Sequence, residues 1–498
     1  MRRAGAVSTL LAVVVATFGP TGAAANPFVP AGDSALRHDI QLLSDFGVIK
    51  GPTTTWPLAW GPLLAEVNGF LISVDTPPDV ASALSRVKSR AAWDTRLGEV
   101  YFESRVSAAD NPKRIRSYED TPRTRAEAGA AISYTGNWWA ATVNAQLVDV
   151  DENDNDDAVR FDRSVVAASF GNWSIGVNTL DRWWGPGWDG SVILSNNARP
   201  IPSVSIDRIF TDEFNSKWLS WIGPWDLSVH FGQMEEERSV PNTKFFGMRF
   251  NFKPIPTLEI GLSRTAQWCG DGRPCDLDTF LDLLIGYDNV GDDDITRENE
   301  PGNQLAGFDA RWSIRVLGVP LAVYGQFIGE DEAGGLPSRY LGQFGIEGTG
   351  AVGTRWSYRW FAEYAGTSCQ FYESSELFNC AYNHGIYKTG YRYRGRSVGH
   401  PTDNDTKIVT VGLLALSDTD SEWAATIRYG ALNRGGAPDP ANTLTPTRQD
   451  IVSIDLRHSK GFSFGEVSAG LGYERIDDEV SGESNDEVRF FLQWRSSY

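Results

Sequence analysis

The 498-residue chain holds only 4 cysteines, 3 methionines and 5 histidines, and each shortage removes a class of chemistry. The cysteines fall as two local couples, Cys269 with Cys275 and Cys369 with Cys380. They lack the Cys-x-x-Cys halves of a four-thiolate zinc site and read as two loop-closing disulfides of an oxidising compartment. His38, His230, His384, His400 and His458 are the histidines, and none lies in a His-Glu-x-x-His or Gly-x-Ser-x-Gly setting. A glycosidase carboxylate pair is defined in space and leaves no mark in sequence, so a surface enzyme stays as a rival. The expectation is a non-enzyme with no cofactor and no metal. Long apolar runs are missing too: past the N-terminus nothing approaches the ~18 to 20 apolar residues of a membrane-spanning helix, the best stretch being Ile408 to Leu416. Positive charge is also short, with 45 Lys and Arg against 64 Asp and Glu and a net charge of -19, which makes nucleic acid a poor partner.

What the chain does have is rings and glycine: 18 Trp, 16 Tyr, 25 Phe and 50 Gly. That composition suits strands, turns and membrane interfaces. Arg2 and Arg3 precede an apolar run from Leu10 to Phe18 and the small residues Ala23, Ala24 and Ala25. The pattern is that of a secretory signal peptide over 1–25, leaving a mature chain from Asn26.

Residues 26–95 carry helical spacing: Leu36, Ile40 and Leu43; then Leu63, Leu64, Val67 and Leu71 behind Pro62; then Val80, Leu84, Val87 and Ala91. Three short amphipathic helices forming a bundle or plug are expected there. From 96 to 498 the period is two. Trp139, Ala141, Val143, Ala145 and Leu147 alternate with polar residues, as do Phe308, Ala310, Trp312, Ile314 and Val316 with Asp309, Arg311, Ser313 and Arg315, and Val452, Ile454 and Leu456 with Ser453, Asp455 and Arg457. Alternation alone fits a soluble sandwich and a membrane barrel equally. Connection lengths favour the barrel, because tight turns (135–137, 171–172, 223–224, 253–256, 317–320, 417–421, 459–461) alternate with long polar loops (108–123, 150–160, 181–202, 234–243, 265–304, 329–340, 365–406, 432–447, 475–485). Strands between them number about 18, an even count that puts both barrel ends on the periplasmic side. The last segment, Val488, Phe490, Leu492 and Trp494 before the terminal Tyr498, suits a closing strand. The fold class expected is an all-β, antiparallel outer-membrane barrel.

Two outward loops carry recognition chemistry. One runs from Asp181 through Arg182, Trp183, Trp184, Gly185, Pro186, Gly187 and Trp188 to Asn196, Asn197 and Arg199. Its rings can stack on the C–H faces of pyranoses while Arg and Asn pair with carboxylates and hydroxyls. The same Gly-Pro-Gly and Asn-Ala-Arg-Pro segments could instead fold the loop inward as a packed plug. The other holds Tyr387, Tyr391, Arg392, Tyr393, Arg394, Arg396 and His400, a basic patch suited to an anionic polysaccharide, with plain loop packing as the alternative. The acidic run Asp151, Asn153, Asp154, Asn155, Asp156, Asp157 has the composition of a calcium loop but Asp156 where that loop needs Gly, so it reads as solvated, with loose divalent-ion binding as the alternative.

Leu36-Arg37 to Gly47, Thr55-Trp56-Pro57-Leu58, the Arg182 to Gly187 and Asn196 to Pro200 loop, Asn299 to Asn303, and Asn383-His384 through Gly390-Tyr391-Arg392-Tyr393-Arg394-Gly395-Arg396 to Gly399-His400 together resemble the capsule-assembly Wzi family of outer-membrane proteins. The resemblance covers most of the mature chain. It implies an 18-stranded barrel with a periplasmic helical bundle, acting as a lectin that anchors capsular polysaccharide or exopolysaccharide at the cell surface. The partners expected are an acidic polysaccharide and outer-membrane lipid, with the protein a monomer. A substrate-selective diffusion channel is the alternative, disfavoured by aromatic loops and an N-terminal plug.

Overall fold

The computed structural model describes residues 28–150, 157–285, 302–316, 319–333, 336–436 and 442–497. Residues 1–27, which hold the expected signal peptide, Asp151 to Asp156 and Asn299 to Pro301 lie outside them. Leaving out the short ribbons Trp183–Trp184, Arg392–Tyr393 and Arg396–Ser397, the strands from Val100–Ala109 to Ser484–Ser497 each pair antiparallel with the next along the chain, and the last pairs with the first, closing a barrel. Val159–Arg160 and Val165–Phe170 both lie against Trp139–Val148 and form one interrupted strand, so the wall has 18 strands.

Burial decides between the two readings of the alternation. Phe308, Trp312, Ile454 and Leu456 are exposed, whereas Asp309, Arg311, Ser453 and Asp455 on the same strands are buried. In a soluble sandwich the signs would be reversed. Here the apolar side chains stand outside the ring and the charged ones inside, as a lipid-facing wall around a polar lumen requires. Among the described residues no helix is long and apolar enough to cross a membrane; the strands do that.

The helices are α1 (Ser34–Asp45), α2 (Trp60–Gly69), α3 (Pro78–Asp94) and α4 (Leu277–Ile285). Asp33 caps α1 by accepting the Leu36 amide at 2.9 Å, and Pro78 opens α3 where no amide is needed. Ile40, Leu43, Leu63, Val67, Leu84 and Val87 fuse α1 to α3 into one apolar core. Leu71, expected in that stripe, falls beyond the end of α2 and is exposed. Helix α1 is buried on all sides, down to Arg37, His38, Asp39 and Gln41, because Arg86 of α3 forks onto Asp39 at 2.8 and 2.7 Å and the wall takes up other polar groups of the helix. Arg311 forks onto Asp45 at 2.6 and 2.8 Å, Lys253 reaches Ser44 at 2.9 Å and Arg359 reaches His38 at 3.2 Å. Glu259 accepts the amides of Thr53 and Thr54 at 2.8 and 2.7 Å. The inward charges that the alternation placed on the strands therefore hold the bundle in one mouth of the barrel, hereafter the helical end.

Both expected disulfides are formed. Three connections differ from expectation. Strands Val319–Ala333 and Leu336–Val352 leave only 334–335 where a loop over 329–340 was expected, and Gly465–Asp478 and Ser484–Ser497 shorten 475–485 to five residues. Pairing continues past the apolar band because a polar hairpin in water needs no lipid-facing side chains. Conversely, the turn expected at 223–224 is a 16-residue excursion, 209–224.

Candidate functional site

An 18-strand wall encloses more space than its own side chains fill. The loop 179–202 returns into that space from the end opposite the helices and is buried almost throughout. Trp183 and Trp184 pair with Trp56 and Thr55 as a short antiparallel ribbon, joining loop to bundle. The Trp183 indole donates to the Gly187 carbonyl at 3.1 Å and meets Tyr118 edge-on at 5.3 Å. Trp184 lies 5.2 Å from the His230 ring, and its carbonyl accepts from Gln326 at 2.8 Å. Trp188 stacks on Phe361 at 6.0 Å and donates to Glu347 at 2.7 Å, while its amide donates to Glu363. Arg37 of α1 lies 4.2 Å over the same indole and donates to the Pro186 carbonyl at 2.8 Å. Glycines let the loop come this close: a Cβ on Gly187 would sit 2.1 Å from the Gln343 amide, and one on Gly190 the same distance from His400 Nε2.

The expectation that Trp183, Trp184 and Trp188 present stacking faces to the outside is therefore corrected. They are 0%, 0% and 5% exposed, spent on wall and bundle. Arg182 (to Asn178, 3.3 Å) and Asn196 (to the Tyr118 carbonyl, 2.6 Å) belong to the same filling.

The second loop divides in two. Tyr391 donates to Ile193 O at 2.8 Å and stacks on Tyr382; Tyr393 is buried. Arg392 is not a surface charge: it forks onto Asp403 at 2.9 and 2.8 Å and donates to Asn383 at 2.8 Å. Burial pushes the Asp403 carboxyl up, and Arg392 more than offsets this, holding it below the ordinary carboxylate range. His400 is kept neutral by burial, its pKa lowered to about 4.

Arg394 and Arg396, by contrast, meet Asn197 and Arg199 around a cavity of about 560 Å³ at the loop end. Arg114, Arg123 and Arg160 complete a ring of arginines, and Glu235 and Glu237 are the acids in the lining. Four of the cations are braced by neighbouring acids and carbonyls. Arg199 forks onto Asp162 at 2.9 Å and Arg394 meets Asp157 at 3.0 Å. Arg123 donates to the carbonyls of Asn196 and Asn197 at 2.8 Å, and Arg396 to the Arg114 carbonyl at 3.1 Å. Such guanidinium forks, aimed from several loops at one space, can take carboxylates and hydroxyls bidentately. Sequence reasoning missed Arg114, Arg123 and Arg160. The basic run Lys113-Arg114-Ile115-Arg116 with Arg123 and Arg125 was the available signal, set aside as part of a polar connection. Among the described residues no cluster of His, Cys, Asp and Glu could hold a metal ion.

Comparison with known proteins gives the relationship. The family model for "Capsule assembly protein Wzi" matches residues 101–487. An uncharacterized 55.8 kDa protein in the cps region of Klebsiella pneumoniae is 33% identical over 317 residues, 64% of this chain and 61% of that one. The match thus spans less than two-thirds of that relative. The solved structure of Escherichia coli Wzi, described as an outer-membrane, carbohydrate-binding β-barrel involved in group 1 capsule assembly, superposes with a TM-score of 0.81 at 27% identity, over 94% of this chain and 98% of that one. With the same wall carrying the same family's sequence over most of its length, this outer-membrane β-barrel belongs to the Wzi family of capsule assembly proteins.

Proposed function

We propose that the protein binds an acidic polysaccharide, capsular or exopolysaccharide, at the cell surface and anchors it there without cleaving it. The ring of arginines around the loop-end cavity is the observation that carries this reading. Six guanidinium groups line the cavity against two lining carboxylates, in a chain of net charge -19; the acids that pair with Arg114, Arg123, Arg199 and Arg394 lie outside the lining, so what the cavity presents to a ligand is guanidinium donors, spread over several loops as recognition of an extended polymer requires. Arg160, Arg199, Arg394 and Arg396 supply the charge and Asn197 a neutral polar contact, while Trp183, Trp184 and Trp188 support the loop from below. The family's carbohydrate-binding member from Escherichia coli supports the same class of ligand.

In this reading residues 1–25 are removed, 26–95 form the periplasmic bundle, and the barrel over 96–498 works as a monomer in lipid with its long loops outside. A conducting channel is disfavoured, since α1 plugs one mouth and the 179–202 loop fills the lumen above it. Binding of purified protein to an immobilised uronic-acid polymer, with a neutral glucan beside it, tests the proposal. Arg160→Gln with Arg394→Gln should bind the acidic polymer at least tenfold more weakly and with a smaller salt sensitivity. Equal binding of both polymers by the parent protein, or no loss in the folded variant, would overturn it. Shortened polymer after incubation would revive catalysis, and steady conductance in a planar bilayer would revive the channel.

A further inference from the structure

Helix α4 follows the Cys269–Cys275 disulfide at the loop end, and it packs on the outside of the wall. On the neighbouring strand Leu258–Trp268, Ser263, Thr265 and Gln267 point to the lumen and are buried, so Leu262, Arg264, Ala266 and Trp268 face outward. Ala266 and Phe246 nevertheless have almost no exposure, because α4 covers them. Phe280 meets Trp268 at 4.8 Å, Phe246 at 5.4 Å and Phe231 at 5.8 Å. Asp276 caps the N-terminus, accepting the Thr279 amide at 2.9 Å. At the other end Arg264 donates to the Leu284 and Leu283 carbonyls at 2.8 and 2.6 Å and to the outward-facing Gln304 at 2.8 Å, the placement a cation prefers at a helix C-terminus.

Depth follows from the strand. The 11 residues Leu258–Trp268, at ~3.4 Å each and ~40° of tilt, climb about 26 Å, roughly the height of the apolar band. Arg264 lies four residues below the rim, about 10 Å inside that band, where a bare lipid-facing arginine is costly. The α4 carbonyls are what meet it. A helix whose C-terminus descends to Arg264 on the lipid side cannot leave its outer face in water. That face carries Leu277 and Leu281, one turn apart and 69% and 47% exposed, with Asp278 and Asp282 exposed along one side of them, and the wall beside it shows the exposed Leu262 and Phe308.

We propose that α4 is embedded in the outer half of the bilayer, a lipid-facing shield over Arg264 and Gln304 whose partner is the acyl chains of the outer leaflet. All four native cysteines are paired, so a nitroxide can be placed on the lone thiol of Leu277→Cys, Leu281→Cys or, as a hydrated control, Ser481→Cys of the exposed 479–483 loop. In phospholipid vesicles, oxygen should quench positions 277 and 281 more than a water-soluble nickel chelate does, and the order should reverse at 481. Adding Arg264→Gln to Leu281→Cys should raise nitroxide mobility and nickel access. Nickel outweighing oxygen at 277 and 281 would overturn the proposal, as would labels shielded from both agents until dilution, which would mean a second copy of the chain. The choice of leaflet rests on the loop-outward orientation proposed above. Labelling of Ser481→Cys on intact cells by an impermeant maleimide tests that separately, so its failure would move the leaflet and not the lipid contact.

Discussion

Trp188→Ala should release the 179–202 loop from the lumen while the wall stays closed. The indole is 5% exposed, stacks on Phe361 at 6.0 Å, donates to Glu347 at 2.7 Å and lies 4.2 Å beneath the Arg37 guanidinium. Truncating a buried tryptophan costs about 3–5 kcal/mol. Glu347 keeps Arg311 and Arg359 at 2.6 Å each, so no charge is left bare and the cost stays near ~4 kcal/mol. At 1.4 kcal/mol per tenfold, that raises the population of undocked loop about a thousandfold. Most of the loss is local, because the wall's own hydrogen bonds do not involve the loop. Amide exchange is the assay: 179–202 should lose about three decades of protection while strand amides keep theirs. The loop also carries Asn197 and Arg199 into the cavity, so polymer binding should weaken together with the protection. Loop exchange within tenfold of the parent would refute the view that this ring pins the lumen filling.

Removing one partner of a buried ion pair should cost more than removing a surface charge. Arg428 forks onto Asp189 at 2.9 and 2.6 Å and onto Asp455 at 2.7 Å, so Arg428→Leu should destabilise by about 3–5 kcal/mol, read as a lower detergent-unfolding midpoint; an unchanged midpoint would contradict the pairing. His400 gives a pH dependence. Its native pKa near 4 lies below the ordinary 6.5, so the folded loop keeps it neutral while the undocked loop protonates it. That stability is complete above about pH 6.5 and is lost as pH falls toward 4, up to about 3 kcal/mol. His400→Gln should flatten the difference in protease resistance between pH 7 and pH 4.5, and an identical pH profile would sink the assignment. Gly190→Ala, whose Cβ would meet His400 at 2.1 Å, should expose the loop to protease as Trp188→Ala does.

The wall was legible because a strand fixes the direction of every second side chain: Phe308 and Trp312 against Asp309 and Arg311 could be sorted from order alone. The helical segments were legible from Leu36, Ile40 and Leu43, although the spacing ran one residue set too far, to Leu71, where α2 had already ended. What stayed hidden was the direction of the loops. A stretch holding Arg182, Trp183, Trp184 and Trp188 has the same composition whether it faces a sugar or fills a lumen. The choice depends on Gln326, Gln343, Glu347 and Glu363, which lie more than 130 residues away in sequence. Arg392 and Arg394 show the same limit at the scale of two residues, one forked onto a buried Asp403 and the other bordering the open cavity.

The arginine-lined cavity is open and held by braced side chains. In the proposed function a long repeating polymer can touch several such barrels at once, and each new contact forms at an effective concentration set by the polymer already held. Individual grips can then let go rapidly without releasing the chain. The polymer would creep across the surface from barrel to barrel while its escape into the medium, which needs every grip to open together, becomes slow.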